Sequence, residues 1–467
     1  MKRFNFLACL FALLALFTFV NKNTAYASQD FEFYYQTVTG IQDLNTEIQE
    51  DDSIWAKAKK TLSKGVNAVK RAWEGNVSRV YTLSDGEHKW YSDRNKNLVY
   101  NVNRVKVKSE EHLMELMGVS SEDEMTNGQK AMLACYRTAK SDAIKERSNI
   151  AYHDKINVIL TDTTNSDLTY TDAQGKEQSV SLSDFQHDFW SWSNGSTIHM
   201  ATHNYNGSNS VADATSTFLH EYCHSIDRTI KELIKPYGKD GSHYGDEMSG
   251  KRAAFVEGWA EYNEMIESDA EAQNYLSQMA TICVELKDKD LKNYTFDPDK
   301  EWSKEQGGWF CNGISTYTYV SAQDLTAEEL WKCEAYNRAA LYRIATEIPN
   351  GKQKIYDAFK STRWNLFRDL TTVVKKLCKE NPDDIATIGK ILDELTYGKM
   401  SDKEMKKFIG TSKEAKAFLA DRAAGYPSEK SADSSKKVES AADNASDKEA
   451  PELTGTSDEE GSVFNVK

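Results

Sequence analysis

Two histidines and a glutamate share one short segment of this chain, His220-Glu221-Tyr222-Cys223-His224. The preceding residues, 210–219, can run into this segment as a single helix. On a helix, residues four apart lie one turn apart on the same face, so His220 and His224 can direct two imidazoles at one point. Glu221 flanks that point. The segment therefore constrains the fold to include a helix with one face able to bind a metal ion.

Two imidazoles beside a carboxylate suit a single catalytic zinc ion, Zn²⁺. We expect His220 and His224 to be zinc ligands. We expect Glu221 to be the general base that takes a proton from a zinc-activated water. The pattern thus predicts a zinc metallopeptidase, a hydrolase whose partner is a protein or peptide substrate.

A catalytic zinc ion usually has three protein ligands and one open position. The segment 254–262 is predicted to be helical and carries Glu257 and Glu261 one turn apart on a shared face. One of them can bind zinc while the other accepts a hydrogen bond from a ligand histidine, which fixes the orientation of that ring. Three further carboxylates remain rival ligands: Asp246, Glu247 and Glu264.

The segment 220–224, followed by a helical glutamate, resembles the gluzincin group of zinc metallopeptidases. Residues 257–262 read Glu-Gly-Trp-Ala-Glu-Tyr and are similar to the E-G-[FW]-A-E-Y helix that supplies the third ligand of the zinc aminopeptidases. They also resemble the E-x-x-A-E pattern of the anthrax lethal factor type, which has an Asp at the place of Asp227. The resemblance implies that Glu257 binds zinc and that Glu261 supports a ligand histidine.

Enzymes of this kind stabilise the reaction's oxyanion with a Tyr or His. Tyr336 begins a segment, residues 336–340, that is similar to the Y-x-K-G-A segment of the aminopeptidases, with Arg and Ala in place of Lys and Gly. Tyr244 resembles the tyrosine that precedes the third ligand in the lethal factor type, although its spacing to Glu257 is longer. The resemblance leaves both tyrosines as candidates for this catalytic role.

The wider pattern predicts an α+β fold. A zincin-like catalytic domain, with a small mixed sheet, an edge strand and the active-site helix, is expected to precede a mostly helical C-terminal lobe. Strands are predicted at 77–83, 88–91, 98–107, 155–160 and 196–202. Helices are predicted at 128–147, 210–235, 251–267, 330–348, 354–379, 385–395 and 401–424. The predicted regions are a signal peptide at 1–27, an N-terminal α+β region at 28–125, the metallopeptidase core at 126–275, the helical lobe at 276–427 and a disordered tail at 428–467.

The N-terminus has the features of a signal peptide: Lys2 and Arg3, an apolar run at 4–20, and the cleavage site Ala25-Tyr26-Ala27. These features predict a secreted or periplasmic protein with no stable membrane span after cleavage. The net charge of −14 argues against a nucleic-acid partner, whose binders need a basic face. Of the seven cysteines, only Cys9 precedes the cleavage site, so disulfides are permitted.

A secreted endopeptidase is the first functional hypothesis, because no G-x-M-E-N segment, which aminopeptidases use to bind the substrate amine, precedes His220. The alternatives are an aminopeptidase-like exopeptidase and a catalytically inactive zinc-binding protein. The presence of Glu221 argues against the inactive form. A different class is a membrane-acting exported protein that uses the basic amphipathic segment 53–73, although such helices more often pack on a core. Cys223 is expected to be a small buried packing residue.

Overall fold

The computed structural model describes residues 30–44, 83–92, 98–151, 153, 155–164, 168–172, 174–205, 207–227, 245–285, 309–311, 316–365 and 367–425. The predicted signal peptide, the amphipathic segment 53–73, Tyr244 and the predicted tail at 428–467 lie outside these ranges. The chain divides into two compact units, residues 1–227 and 228–467.

The first unit contains a six-stranded mixed sheet. Its strands are β1 (Asp30–Asp43), β2 (Gly86–Tyr91), β3 (Leu98–Lys106), β4 (Lys155–Asp162), β7 (Trp192–Asn194) and β8 (Thr197–Ala201), in the order β2-β3-β1-β4-β8-β7. β1 is parallel to β4 and β4 is parallel to β8, whereas the other pairs are antiparallel. Two short strands, β5 (Thr169–Thr171) and β6 (Glu177–Ser179), form a separate pair. The sheet takes strands from both sides of the boundary predicted at residue 125.

Four of the strands predicted from sequence are confirmed as β2, β3, β4 and β8, and residues 77–82 of the one predicted at 77–83 lie outside the described residues. The sequence predicts an edge strand before the active-site helix, and in the structure β7 takes that edge position and pairs with β8, the strand predicted at 196–202. β7 and β8 form a hairpin in which Asn194 pairs with Thr197 and Gly195 has a φ of 58°. The two turn residues are Gly195 and Ser196, and glycine is favoured at the first of them because it reaches positive φ without strain.

The described part of the first unit contains five α-helices: α1 (Glu110–Leu116), α2 (Asn127–Thr138), α3 (Asp142–Ser148), α4 (Leu182–Asp188) and α5 (Ser210–Ile226). The single helix predicted at 128–147 is two helices, since the Ser141 side chain accepts a hydrogen bond from the Ile144 amide and starts α3. The predicted extension of α5 towards residue 235 is also wrong. Asp227 has an extended backbone, with φ −93° and ψ 140°, which ends the helix.

Aromatic side chains join β1 to α2 and α5. The Phe31 ring lies 6.2 Å from the Phe218 ring and 5.7 Å from the Tyr222 ring, measured between centroids. The Phe33 ring lies 4.8 Å from the Tyr136 ring of α2. Each large aromatic ring buries an extensive apolar area, so these contacts stabilise α5 against the sheet and orient its remaining faces.

A second aromatic cluster includes Trp90, Tyr100, Phe185 and Phe189, all buried. The Trp90 indole donates a hydrogen bond to the Asp188 carbonyl, and the Tyr100 hydroxyl donates to the Asp188 carboxylate, both at 2.9 Å. These bonds satisfy the polar atoms that the aromatic cluster would otherwise bury without partners. They fix the end of α4 on β2 and β3.

The second unit is mostly helical. Its α-helices are α6 (Lys251–Met265), α7 (Asp269–Ser277), α8 (Ala327–Leu330), α9 (Glu334–Glu347), α10 (Gly351–Thr362), α11 (Leu370–Glu380), α12 (Ile385–Leu395), α13 (Asp402–Ile409) and α14 (Lys413–Ala423). A three-stranded antiparallel sheet interrupts them, with β9 (Thr281–Glu285), β10 (Trp309–Cys311) and β11 (Thr316–Ser321) in the order β10-β11-β9. The sequence predicts a mostly helical lobe here but not this small sheet, which the structure adds between α7 and α8. Among the described helices, none has the length and apolar character needed to cross a membrane.

Candidate metal centre

α5 carries both predicted histidine ligands on one face. Its apolar face is buried through Phe218 and Tyr222, which leaves His220 and His224 half-buried. The Nε2 atoms of these histidines are 3.0 Å apart, and their ring planes are nearly perpendicular, at 84°. The helix therefore directs the two nitrogens at a common point, as the spacing in the sequence predicts.

Glu221, the predicted general base, has a side chain that is only 6% exposed. Its charge acts on Tyr205, which lies just before α5 in a short 3₁₀ turn. Burial raises the pKa of Tyr205 well above its usual range, and the negative charge of Glu221 adds to that increase. The Tyr205 hydroxyl is hydrogen-bonded to the Ser191 hydroxyl at 3.1 Å. Glu221 is thus a carboxylate in a low-dielectric setting, where its interactions are stronger than in water.

In the second unit, α6 places Glu257 through a close contact at Gly258. A Cβ atom on Gly258 would lie 2.8 Å from the Asn337 Cβ and 2.9 Å from the Glu334 carbonyl oxygen. Only glycine allows α6 and α9 to approach this closely. The contact fixes the rotation of α6 about its axis, and Glu257 beside it is 1% exposed.

Aromatic contacts fix the next turn of α6. The Trp259 ring stacks on the Phe359 ring, with centroids 3.9 Å apart and planes 15° from parallel. The Tyr356 hydroxyl donates a hydrogen bond to the Asn263 side-chain oxygen at 3.0 Å. Glycine and tryptophan of the segment 257–262 therefore pack α6 tightly on α9 and α10, which leaves Glu257 and Glu261 as the polar positions of that segment.

One group of metal-ligating side chains emerges from the part of the chain that the structure describes. His220, His224 and Glu257 each offer one ligand atom, and these atoms lie within 4.8 Å of one another. A tetrahedral zinc ion with bonds of about 2.0–2.1 Å holds its donors roughly 3.3 Å apart. The 3.0 Å between the histidine nitrogens is close to that spacing. Two imidazole nitrogens and a carboxylate oxygen also form a donor set that zinc prefers.

Glu261 lies one turn after Glu257 and makes a buried ion pair. The Arg338 Nη1 donates to the Glu261 Oε1 at 2.7 Å, and the Arg338 side chain is fully buried. Arg338 was not singled out as functional from the sequence. One feature of the sequence could have pointed to Arg338: it occupies the place of the lysine in the segment similar to Y-x-K-G-A.

The rival carboxylates have other structural places. The Glu264 carboxylate accepts a hydrogen bond from the Tyr275 hydroxyl at 3.1 Å. Burial, together with the charges of Glu264 and Glu261, raises the pKa of Tyr275 well above its usual range. Glu247 forms a backbone bridge to Cys283. Neither Glu264 nor Glu247, nor Asp246 or Asp227, belongs to the three-residue group that could hold a metal.

Tyr336, one of the two candidate oxyanion donors, is fully buried on α9. Its hydroxyl donates to the Met279 carbonyl at 3.0 Å and lies 3.2 Å from the Tyr397 hydroxyl. Burial and the Tyr397 hydrogen bond raise the pKa of Tyr336 above its usual range. These contacts are those of a packing residue. Tyr244 lies outside the described residues.

Cys223 is fully buried in α5, as expected of a packing residue. Three other cysteines, Cys135, Cys333 and Cys378, are buried thiols without a disulfide. Burial raises the pKa of the Cys378 thiol to about 12. None of these four cysteines belongs to the metal-ligating group found among the described residues.

No protein-family model, curated protein or solved structure matches this chain. The centre is therefore defined by its own chemistry, which is that of two imidazoles and a carboxylate able to hold one metal ion. A further buried carboxylate, Glu221, adjoins the first imidazole in the same helix.

Proposed function

We propose that this chain is a zinc-dependent metallopeptidase that hydrolyses peptide bonds of a protein or peptide substrate. The observation that carries the proposal is the group formed by His220, His224 and Glu257, together with Glu221 beside the first of these ligands. The resemblance of the two helical segments to the gluzincins supports the same conclusion.

The three ligand residues would hold one Zn²⁺ ion. Zinc in such a site acts as a Lewis acid that polarises the scissile carbonyl and makes a water molecule acidic near neutral pH. The imidazoles of His220 and His224 suit this ion, because neutral ring nitrogens are ligands that zinc prefers, and their partial exposure leaves room for a water molecule.

Glu221 supplies the proton transfers. Its carboxylate accepts the proton of the attacking water and later delivers it to the leaving amine. The side chain is buried, so it is held in place rather than sampling solvent. A positioned general base of this kind contributes about 10²–10⁴-fold to the rate of such reactions.

We further propose that the enzyme is an endopeptidase. The chain has no G-x-M-E-N segment to capture a substrate amine. The sheet of the first unit ends in β7, a strand of only three residues at Trp192–Asn194. An extended peptide can add to such an edge through main-chain hydrogen bonds, and this mode of binding does not require a peptide terminus. The signal-peptide features of residues 2–27 add export from the cytoplasm to the proposal.

The test compares the wild-type protein with Glu221→Gln and with a matched control, Glu264→Gln. Glu221 and Glu264 are each 6% exposed, so both variants neutralise an equally buried carboxylate. Zinc is measured by elemental analysis, and hydrolysis is measured on internally quenched peptides with blocked and unblocked amino termini.

We expect Glu221→Gln to retain one zinc ion and to lose about 10²–10⁴-fold in kcat. Glu264→Gln should retain both zinc and activity, because an amide oxygen can still accept the Tyr275 hydrogen bond. Equal cleavage by wild type and Glu221→Gln, or a wild type without zinc, would contradict the proposal. Cleavage of unblocked peptides alone would identify an exopeptidase.

A further inference from the structure

Arg338 is anchored at three points in the interior of the second unit. Its Nη1 donates to the Glu261 carboxylate at 2.7 Å. Its Nη2 donates to the Tyr275 carbonyl at 2.9 Å and to the Gln278 side-chain oxygen at 2.8 Å. The guanidinium carbon also lies 4.5 Å from the centre of the Tyr275 ring. These contacts connect α9, which carries Arg338, to both α6 and α7.

The chain that leads into α6 also passes over this guanidinium group. A Cβ atom on Gly245 would lie 2.2 Å from the Arg338 Nη1 and 3.0 Å from its Nη2. No side chain fits there without moving Arg338. The guanidinium is therefore enclosed by the backbone at Gly245 and by the acceptors on α6 and α7, and its orientation is fixed.

A buried ion pair is a poor device for stability alone. Removing an arginine and a carboxylate from water has a desolvation cost that often equals or exceeds their attraction. What such a pair provides reliably is a fixed geometry for both side chains. The carboxylate fixed here, Glu261, lies on the same face of α6 as Glu257, one turn away.

We propose that Arg338 is a positioning residue for the metal centre, acting through Glu261. This inference rests on the proposed function. The guanidinium is held by its Nη2 bonds to the Tyr275 carbonyl and the Gln278 side chain, so its single Nη1 bond keeps the Glu261 carboxylate in one rotamer and holds the Glu257 face of α6 against α9. Groups that hydrogen-bond metal ligands without touching the metal typically account for 10–100-fold in metal affinity, and we expect Arg338 to act in that range by fixing Glu261 and the Glu257 face of α6.

Lysine cannot reproduce this arrangement. Arg338 uses two nitrogens to reach acceptors on two helices, Glu261 on α6 and Gln278 just after α7. An ammonium group keeps the charge but is a single point on a flexible stem, without the planar fork. Arg338→Lys therefore removes the geometry while it preserves the charge.

A matched control exists in the same unit. The Arg422 Nη2 donates to the Asp393 Oδ1 at 2.7 Å, the same distance as in the Arg338 pair, and both side chains are largely buried. Arg422 lies on α14 and Asp393 on α12, and neither belongs to the metal-ligating group. Arg422→Lys thus perturbs a comparable ion pair that has no link to α6.

The experiment measures the zinc dissociation constant by chelator competition, the unfolding temperature of the zinc-free protein, and kcat and KM separately. We expect Arg338→Lys to raise the zinc dissociation constant about 10–100-fold and to lower kcat more than it changes KM. Both variants should lower the unfolding temperature of the zinc-free protein by similar amounts. Arg422→Lys, however, should leave the zinc dissociation constant within about twofold of wild type.

Equal zinc dissociation constants for both variants would overturn the inference, since Arg338 would then be only structural. If Arg338→Lys does not fold, Gln278→Met takes its place, because it removes one acceptor of the same guanidinium. That variant should raise the zinc dissociation constant by roughly three- to tenfold, and an unchanged value would equally overturn the inference. A wild type that binds no zinc would instead refute the proposed function, so the two failures are distinguishable.

Discussion

The first unit contains two histidine pairs with the same sequence spacing, and they differ in what their ring nitrogens do. His199 lies on β8 and His203 in the 3₁₀ turn that follows, four residues later. His220 and His224, also four residues apart, lie on α5. On the helix this spacing brings the rings together, whereas on a strand followed by a turn it does not.

His199 is saturated by protein partners. Its Nδ1 contacts the Trp190 carbonyl at 2.6 Å and its Nε2 contacts the Thr161 hydroxyl at 2.7 Å. The Thr161 hydroxyl accepts a hydrogen bond from Gln36, whose side-chain oxygen in turn accepts one from Arg104. A row of buried polar side chains thus crosses β3, β1, β4 and β8. Because the Trp190 carbonyl can only accept, the neutral His199 ring carries its proton on Nδ1, and its Nε2 accepts from the Thr161 hydroxyl.

In the helical pair, the two Nε2 atoms of His220 and His224 are instead directed at each other, at 3.0 Å. Two ring nitrogens this close repel if both are protonated, and they attract a shared cation if both are neutral. The comparison teaches that spacing alone does not make a ligand pair. The decisive feature is whether the fold directs one nitrogen of each ring at a common point, as the helix does for His220 and His224.

The largest expected effect is on the helical pair. His224→Ala should raise the zinc dissociation constant by at least ~100-fold, because loss of a ligand costs more than loss of a group that only orients one. Chelator competition measures this directly. The variant should fold, since His224 is half-buried and its neighbours on the apolar face of α5 are unchanged.

The control for this prediction is His199→Phe. It leaves the Thr161 hydroxyl and the Trp190 carbonyl without their ring partner, so the free energy of unfolding should fall by about 2–4 kcal/mol. The folded protein should still bind zinc with wild-type affinity. Stoichiometric zinc in His224→Ala, or loss of zinc in folded His199→Phe, would break the distinction between the two pairs.

The next effect concerns His203 and pH. Burial lowers the pKa of His203 to about 4, from an ordinary value of 6.5. As the pH falls from 6.5 to 4, the unfolded chain takes up a proton that the folded chain does not, so stability is lost across this window and no further below it. Each pKa unit corresponds to about 1.4 kcal/mol, and because the side chain is half-buried we expect a total of about 2 kcal/mol.

His203→Gln removes this titration and can still accept a hydrogen bond from the Thr163 hydroxyl, which lies 2.9 Å from the His203 Nδ1. Urea unfolding at several pH values should therefore show a shallower loss of stability for the variant than for wild type between pH 6.5 and 4. Parallel curves would mean that His203 is protonated in the folded protein, and it would then no longer contrast with the helical pair.

Local periodicity explains what the sequence predicts well. The helix predicted at 385–395 is observed with the same bounds as α12, and the strand predicted at 155–160 is the first part of β4. α5 begins at Ser210, as predicted. In each case the repeat of apolar residues matches the element's own period, so the signal does not depend on distant partners.

Long-range pairing explains what the sequence does not predict. β1 lies near the centre of the sheet between β3 and β4, but its partners are far away in the chain, and the alternating Phe31, Phe33 and Tyr35 were its only local signal. Arg338 pairs with Glu261 across 77 residues. A contact between two single side chains that far apart in the chain produces no repeating pattern in the sequence. The Arg338–Glu261 pair is therefore visible only once α9 is seen packed on α6.

The smallest expected effect is that of Tyr336→Phe. It applies to a tyrosine the distinction drawn for the histidines, that a polar group satisfied by protein partners has a structural role. Like His199, Tyr336 already has its polar atom satisfied, through the Met279 carbonyl and the Tyr397 hydroxyl. Tyr336→Phe should therefore cost about 1 kcal/mol in unfolding free energy, the usual value of one hydrogen bond, and should leave kcat within about twofold. Peptide hydrolysis and urea unfolding measure the two quantities. A 10²-fold or larger fall in kcat at unchanged zinc content would instead make Tyr336 the oxyanion donor. Saturation by protein partners would then no longer separate structural from functional side chains in this molecule.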